Sequence, residues 1–368
     1  MSRARDFADL AGSANAGGIT GRNLIINGAM KVAQRGTSAT ASSGYHTVDR
    51  FQLAVINMDN AAYTYVQSSV APTGFSTSWR IDCTDEESAL AADEYSTFTQ
   101  AIEAQNLQQI SNGSSAAKSL TLSFYVKSNK TGTWGLNLYK PDNTGRQITA
   151  TYTISSADTW EYKTITFAGD TAGGGIADDN GAGMYVYWAL AAGSDYTSSD
   201  STSWSNYSNA GFLYGHNVNF FDSTANDWAV TGVQLEIGSG PATPFEHEDI
   251  GTTLAKCQRY YFKIVSTSTA DAFAVGQNNT TLRADGSLGF PVTMRASPTA
   301  IETTGTATDY LINTSGNSYT CNAVPSFIRA NSQTPYFRFP VASGLTTGYG
   351  AMLRAAVAGA YLAWSAEL

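Results

Sequence analysis

Between residues 118 and 192 the chain changes from apolar to polar at every second position, and little besides a β-sheet accommodates that rhythm. In "LTLSFYV", Leu120, Leu122, Phe124 and Val126 share one face of an extended strand while Thr121, Ser123 and Tyr125 take the other. "TWGLNLY" repeats the pattern with Trp134, Leu136 and Leu138, and Lys130-Thr131-Gly132 between the two segments predicts a hairpin. The rhythm continues through "QITATYTI" (Ile148, Ala150, Tyr152, Ile154), "WEYKTITF" and "GMYVYWAL" (Met184, Val186, Trp188, Leu190), interrupted by Pro141-Asp142-Asn143 and a glycine loop at 172–183. Half-buried strands must cover their apolar faces on one another, so residues 21–249 are expected to form an all-β sandwich or jelly roll. "TFTQAIEAQNLQQI" is the exception, with room for a helical turn around Leu107.

A second, smaller β region follows residue 250, in "AFAVGQ", "GSLGFPVTM", "YFRFPVA" and "AYLAWSAEL". Leu362, Trp364, Ala366 and Leu368 alternate at its end, and the absence of a fixed internal period argues against a β-helix or propeller. Only 14% of the 368 residues are charged, 12% are aromatic, and helix formers are sparse. A net charge of −9 without any Lys/Arg run argues against nucleic acid and anionic membrane surfaces as partners. No apolar stretch is long enough to cross a bilayer and the N-terminus lacks an apolar signal core, so no membrane insertion and no signal-peptide secretion are expected. Cys83, Cys257 and Cys321 are odd in number and far apart, which speaks against a disulfide framework or a thiolate zinc site.

Catalytic chemistry has few carriers. His46, His216 and His247 are scattered, without metal or nucleophile spacing. The carboxylate pairs at Asp85-Glu86-Glu87, Asp93-Glu94 and Asp178-Asp179 read as solvated turns, since sequence adjacency does not place two acids across a sugar. The chain is therefore expected not to be an enzyme. Binding chemistry is richer in "SDYTSSDSTSWSNYSNAGFLYGHN", residues 194–217. Tyr196, Trp204, Tyr207 and Tyr214 offer rings for the apolar face of a sugar amid hydrogen-bonding Asp, Asn and Ser. The competing reading is that these rings anchor the loop to its own sandwich or to a neighbouring subunit, in which case binding would move to the C-terminal turns around 276–287 and 313–319.

Taken in order, "RNLIINGAMKVAQRG" (22–36), "YHTVDRF" (45–51), "TQAIEAQNLQQI" (99–110), "KSLTLSFYVKSNKTGTWGLNLY" (118–139) and "WAVTGVQLEIGSGPATPFEHE" (228–248) resemble the carbohydrate-binding-module-like jelly roll of bacteriophage tail fibre proteins. "LAKCQRYYFKI", "FPVTMRASPTA" and the terminal "SAEL" are similar to the domain that follows it in those proteins. The resemblance implies three parts: an attachment segment at 1–20, a jelly roll at 21–249 and a C-terminal β domain at 250–368. A short helix, capped by Thr252 or Thr253 and running through Tyr260, would open the last. Leu254, Cys257 and Tyr261 on that helix would serve intrachain packing or contact neighbouring chains near a threefold axis.

The resemblance further implies a homotrimer on the virion tail, assembled in the host cytoplasm and acting in host-surface glycan recognition. Phe7 and Leu10, a short apolar stripe, would dock into a tail or adaptor protein. No cofactor is expected beyond a structural calcium ion, for which Asp170, Asp178, Asp179 and Asn180 supply suitable oxygens. The alternatives are a spacer or decoration protein of the particle and, less favoured, a glycan depolymerase.

Overall fold

The computed structural model describes residues 21–40 and 43–368, so Phe7 and Leu10 lie outside the described residues. The chain divides between Thr253 and Leu254 into two compact units, a few residues beyond the boundary expected at 249/250.

The first unit is a jelly-roll sandwich of two six-stranded antiparallel sheets. One sheet orders β1 (Ser38–Thr40), β3 (Ala62–Ser68), β4 (Ser78–Asp85), β12 (Asp227–Ile237), β6 (Leu120–Ser128) and β9 (Glu161–Phe167). The other orders β11 (Ser205–Asn206), β8 (Arg146–Ile154), β7 (Gly132–Lys140), β10 (Ala182–Ala192), β5 (Tyr95–Glu103) and β2 (Gln52–Ile56). The apolar set of every alternating segment faces inward as expected, but the hairpin expected between β6 and β7 does not form. β6 pairs with β12 and β9, whereas β7 pairs with β10 and β8, in the opposite sheet. Alternation fixes which face of a strand is buried, not which strand lies beside it, and both strands satisfy their pattern by meeting the core from opposite sides. The helical turn around Leu107 is a 3-10 helix, Ala104–Ile110, with Leu107 buried.

The core between the sheets is built on rings. Trp79 and Trp228 project from one sheet and Trp134 and Trp188 from the other, all buried. Phe98 stands among them, its ring centre 4.4 Å from Trp79, 5.7 Å from Trp228, 5.8 Å from Trp188 and 4.8 Å from Phe51. Two indoles find acceptors inside: Trp79 Nε1 donates to Thr47 Oγ1 at 3.1 Å and Trp228 Nε1 to Tyr152 Oη at 3.2 Å. In β12 the register slips between Thr231 and Gln234, and Gly232 occupies the slip at φ 63°. A Cβ there would lie 2.7 Å from the Phe75 ring, so both backbone and space require glycine.

The second unit opens within α2 (Ile250–Gln258), whose N-terminus is capped by Asp249 rather than by Thr252 or Thr253; Asp249 Oδ1 accepts from Gly251 N at 2.8 Å. The helix thus starts three or four residues early and ends two residues early. Beyond it, β13 (Tyr261–Val265), β22 (Tyr361–Ser365) and β16 (Glu302–Thr303) make a three-stranded sheet. A seven-stranded sheet orders β18 (Asn317–Thr320), β17 (Tyr310–Thr314), β21 (Gly350–Ala355), β14 (Ala272–Thr280), β15 (Arg283–Ser287), β20 (Pro335–Pro340) and β19 (Ser326–Ala330). Trp364, Phe337, Phe339, Tyr310 and Leu353 form its core. Among the described residues no helix is long and apolar enough to cross a membrane.

Truncating a wholly buried ring at the meeting point of the two sheets removes contacts that nothing nearby can replace. Trp188→Ala is expected to destabilise the protein by about 3–5 kcal/mol, read as a lower urea midpoint, and a loss below about 1 kcal/mol would contradict this account of the core.

Candidate functional site

On β7 and β10 three of the residues that turn away from the sandwich core, Tyr139, Tyr185 and Tyr187, are aromatic. Tyr139 sits opposite Tyr185 in the ladder, and Tyr187 follows two positions along β10 on the same face. Their rings are close to parallel: Tyr139 and Tyr185 have centres 6.0 Å apart and planes at 24°, Tyr185 and Tyr187 5.7 Å and 19°. All three are half-buried. Tyr207 reaches over from β11's end of the sheet to within 4.9 Å of Tyr139. Beyond Tyr187 the row continues through Thr99 to Gln52. Burial pushes the Tyr187 phenol above its ordinary pKa, so it stays neutral at any physiological pH. The result is a terrace of rings edged by the Tyr207 hydroxyl and the Gln52 amide.

The segment 194–217 lies across the adjoining part of the same face and is fastened to it strand by strand. Asn137 Nδ2 donates to Phe212 O at 2.7 Å, Gln147 Nε2 to Ser208 O at 3.1 Å, and Thr149 N to Ser201 O at 2.8 Å. Phe212 and Leu213 pack with Ala189 and Tyr196 in a small apolar cluster of their own. His216 is buried over Trp134, and its Nδ1 accepts from Gly135 N at 3.0 Å; a Cβ on Gly135 would come within 2.9 Å of the histidine. Burial lowers the His216 pKa to about 4.

This arrangement divides the four rings singled out in the sequence. Tyr196, expected to face ligand, is buried in α1 (Ser194–Thr197) against Tyr95, ring centres 4.6 Å apart, and offers no face to solvent. Trp204 is half-buried against the sandwich core and donates its indole N–H to Ala168 O at 2.7 Å. Tyr214 is half-buried. Only Tyr207, 40% exposed, joins the terrace. The correction has a simple cause: a polar loop laid on a sheet needs apolar anchors, and its rings are the residues that supply them. Tyr139, Tyr185 and Tyr187 were overlooked in the sequence, yet they had a signal, since each is an aromatic ring at the polar beat of an alternating strand.

The three carboxylates among the oxygens expected for calcium, Asp170, Asp178 and Asp179, do not form a cluster of their own. Asp170 is buried in a two-pronged pair with Arg146, Nε to Oδ2 at 2.7 Å and Nη2 to Oδ1 at 3.0 Å, while Lys140 donates to the Gly173 and Gly174 carbonyls in the same loop. Asp179 Oδ1 accepts from Gly181 N at 2.8 Å. Among the described residues no three His, Cys, Asp or Glu side chains converge closely enough to hold a metal ion. A cationic guanidinium already supplies the charge that Asp170 would otherwise seek from a metal. The acids of the paired motifs are likewise engaged: Glu87 accepts from Asn60 Nδ2 at 2.9 Å and Glu94 from Ala91 N at 2.7 Å.

No family model and no curated protein matches the chain. Among solved structures it is similar to the enzymatically active domain of tailspike protein 4 of bacteriophage CBA120, with a TM-score of 0.31 and 13% identity over 59% of this chain and 21% of that one. It is also similar to a family 11 carbohydrate-binding module from Clostridium thermocellum in complex with a β-1,3-1,4-mixed-linked tetrasaccharide, at TM-score 0.29, 12% identity, 55% of this chain and 96% of that one. A third is TmCBM61 in complex with β-1,4-galactotriose, at TM-score 0.28, 9% identity, 59% of this chain and 99% of that one. The chain spans about a fifth of the tailspike domain's length.

His216 gives the cover segment a pH dependence of defined sign. Its folded pKa lies below the ordinary 6.5, so between about 6.5 and 4 the unfolded chain binds the proton and the folded one does not. The stability from neutral His216 is complete above that window and falls by up to about 3 kcal/mol as pH drops through it. Urea titrations from pH 7 to pH 4 should show this loss, reduced in His216→Asn, which keeps an acceptor for Gly135; equal acid sensitivity in both would contradict it.

Proposed function

We propose that this protein is a non-enzymatic component of a bacteriophage virion, a tail fibre that recognises host-surface glycan with the outer face of its jelly roll. The observation that carries the binding reading is the terrace of Tyr139, Tyr185 and Tyr187, near-parallel rings set on paired strands rather than on a loop. Rings fixed by a sheet pay little conformational entropy on binding and present apolar area to the C–H face of a pyranose, while Gln52 and Tyr207, at the two ends of the row, carry polar groups for its hydroxyls. The virion role rests on the ordered sequence blocks that resemble phage tail fibres. A non-enzymatic reading is supported by the engagement of Glu87, Glu94 and Asp170 with neighbours inside the fold.

Each terrace is small, so one chain alone would hold a glycan weakly. Three chains acting on a dense surface would bind far more tightly without new contacts, which fits the homotrimer implied by the tail-fibre resemblance. Attachment to the particle falls to residues 1–20, with Phe7 and Leu10 as the apolar contacts. A spacer or decoration role would leave the terrace without sugar.

The test is binding of the purified full chain to an array of bacterial surface glycans, with light scattering for its mass. A specific glycan ligand is expected, with affinity lowered at least about tenfold by Tyr185→Ala combined with Tyr139→Ala at an unchanged melting temperature. The expected mass is that of three 39.0 kDa chains, and the polysaccharide should keep its length after incubation. Unchanged affinity in the double variant would remove the terrace from recognition, and shortened polysaccharide would make the protein a depolymerase.

A further inference from the structure

The seven-stranded sheet of the second unit buries one face and leaves the other open at its middle. Val275 lies in β14, the fourth of seven strands, and is 71% exposed; Met352, beside it in β21, is 42% exposed. A central strand normally hides such side chains. Around them is a groove of about 510 Å³, within the range of small-ligand sites, closed at one end by the Ser315-Gly316 turn between β17 and β18.

The groove has unspent donors at its edge. Arg354 uses Nε on Ala270 O at 2.7 Å, while its two Nη groups make no hydrogen bond or ion pair among the described residues. Asn313 accepts from Ser318 through Oδ1, which leaves its Nδ2 without a partner among those residues, and the Ser315 hydroxyl is in the same position. No carboxylate lines the groove. Asp285, the acid on this sheet face, is already held by both prongs of Arg338, at 2.7 and 3.1 Å.

Charge across the chain points the same way. Residues 254–367 carry eight Lys/Arg and five Asp/Glu, against thirteen and twenty-five in the rest. A net positive unit with an unpaired guanidinium in an acid-free groove is complementary to an anion, and the planar fork of Arg suits a carboxylate. The flat apolar floor of Val275 and Met352 suits the C–H face of a sugar ring, which an acidic peptide does not offer.

We propose that this groove is a second binding site, separate from the tyrosine terrace, for an acidic glycan. The carboxylate of a uronic-acid-type residue lies on Arg354 Nη1 and Nη2, its ring covers Val275 and Met352, and its hydroxyls meet Asn313 and Ser315. The site does not depend on the terrace, and the two stand or fall separately.

The experiment is calorimetric titration of the full chain with oligogalacturonate, with neutral dextran oligosaccharide, dextran sulfate and poly-L-glutamate as comparators. Oligogalacturonate is expected to bind, with affinity falling as salt rises, and dextran to show none at the same concentrations. Arg354→Ala and, because the Ala270 contact could affect folding, Met352→Glu should each weaken binding at least about tenfold, with Met352→Glu keeping the wild-type melting temperature. Tyr185→Ala should leave it unchanged. The proposal is overturned if oligogalacturonate does not bind, or if poly-L-glutamate or dextran sulfate binds as well, which would mark a general polyanion surface. It is also overturned if Met352→Glu binds normally or changes only the mass in light scattering, which would assign the groove to a second copy of the chain.

Discussion

Phe98 and the three tryptophans around it, Trp79, Trp188 and Trp228, with Trp134 beside Trp228, are the contact on which the first unit depends. They are among the largest fully buried side chains in the sandwich, they come from both sheets, and their mutual packing fixes which face of each strand is inside. Once Trp188 points inward on β10, Tyr185 and Tyr187 must point outward, because neighbours in a strand alternate. The terrace is thus a geometric consequence of the core, and a change that rotated β10 would lose both together. The same coupling reaches the N-terminal blocks. Phe51 stacks on Phe98, and next to it Arg50 is buried with a 2.7 Å bond to Ala101 O on β5.

A sheet face built from half-buried tyrosines would collapse onto itself or attract any apolar partner if the whole of it were open. The 194–217 segment limits that exposure by covering part of the face and tying itself down through backbone carbonyls, with His216 as a neutral buried fastener. What remains open is a narrow row of rings with polar edges, a surface better suited to a sugar chain than to a protein partner. In the second unit the open face is differently composed: aliphatic floor, unpaired arginine, no free acid.

Much of this was legible in the sequence, and the parts that were not share a physical reason. Strand positions and inward faces followed from period-two alternation, as at Leu120, Leu122, Phe124 and Val126. The "RNLIING" and "VDRF" blocks are joined in a way the letters alone do not display: Asn27 bonds both Val32 and Asp49 from one side chain. Strand partners were not legible, because pairing is decided by the whole chain; Ser128 to Gly132 looked like a turn and is a crossing between sheets. The helix cap fell to Asp249 rather than to the threonines because its carboxylate reaches Gly251 N directly. Which rings in 194–217 anchor the loop and which stay open was left undecided for a related reason. Tyr196 and Trp204 have the composition of a binding loop, but composition cannot say which side of the loop meets a sheet.

The most direct measurement is a crystal structure of the full chain with the surface oligosaccharide of a susceptible host. A sugar ring lying over Tyr139 and Tyr185 at van der Waals distance, about 4 Å, with hydroxyls on Tyr207 or Gln52, is the result expected if the terrace recognises a glycan. A terrace covered by another chain, or left empty while the sugar sits on the 194–217 segment, would contradict it.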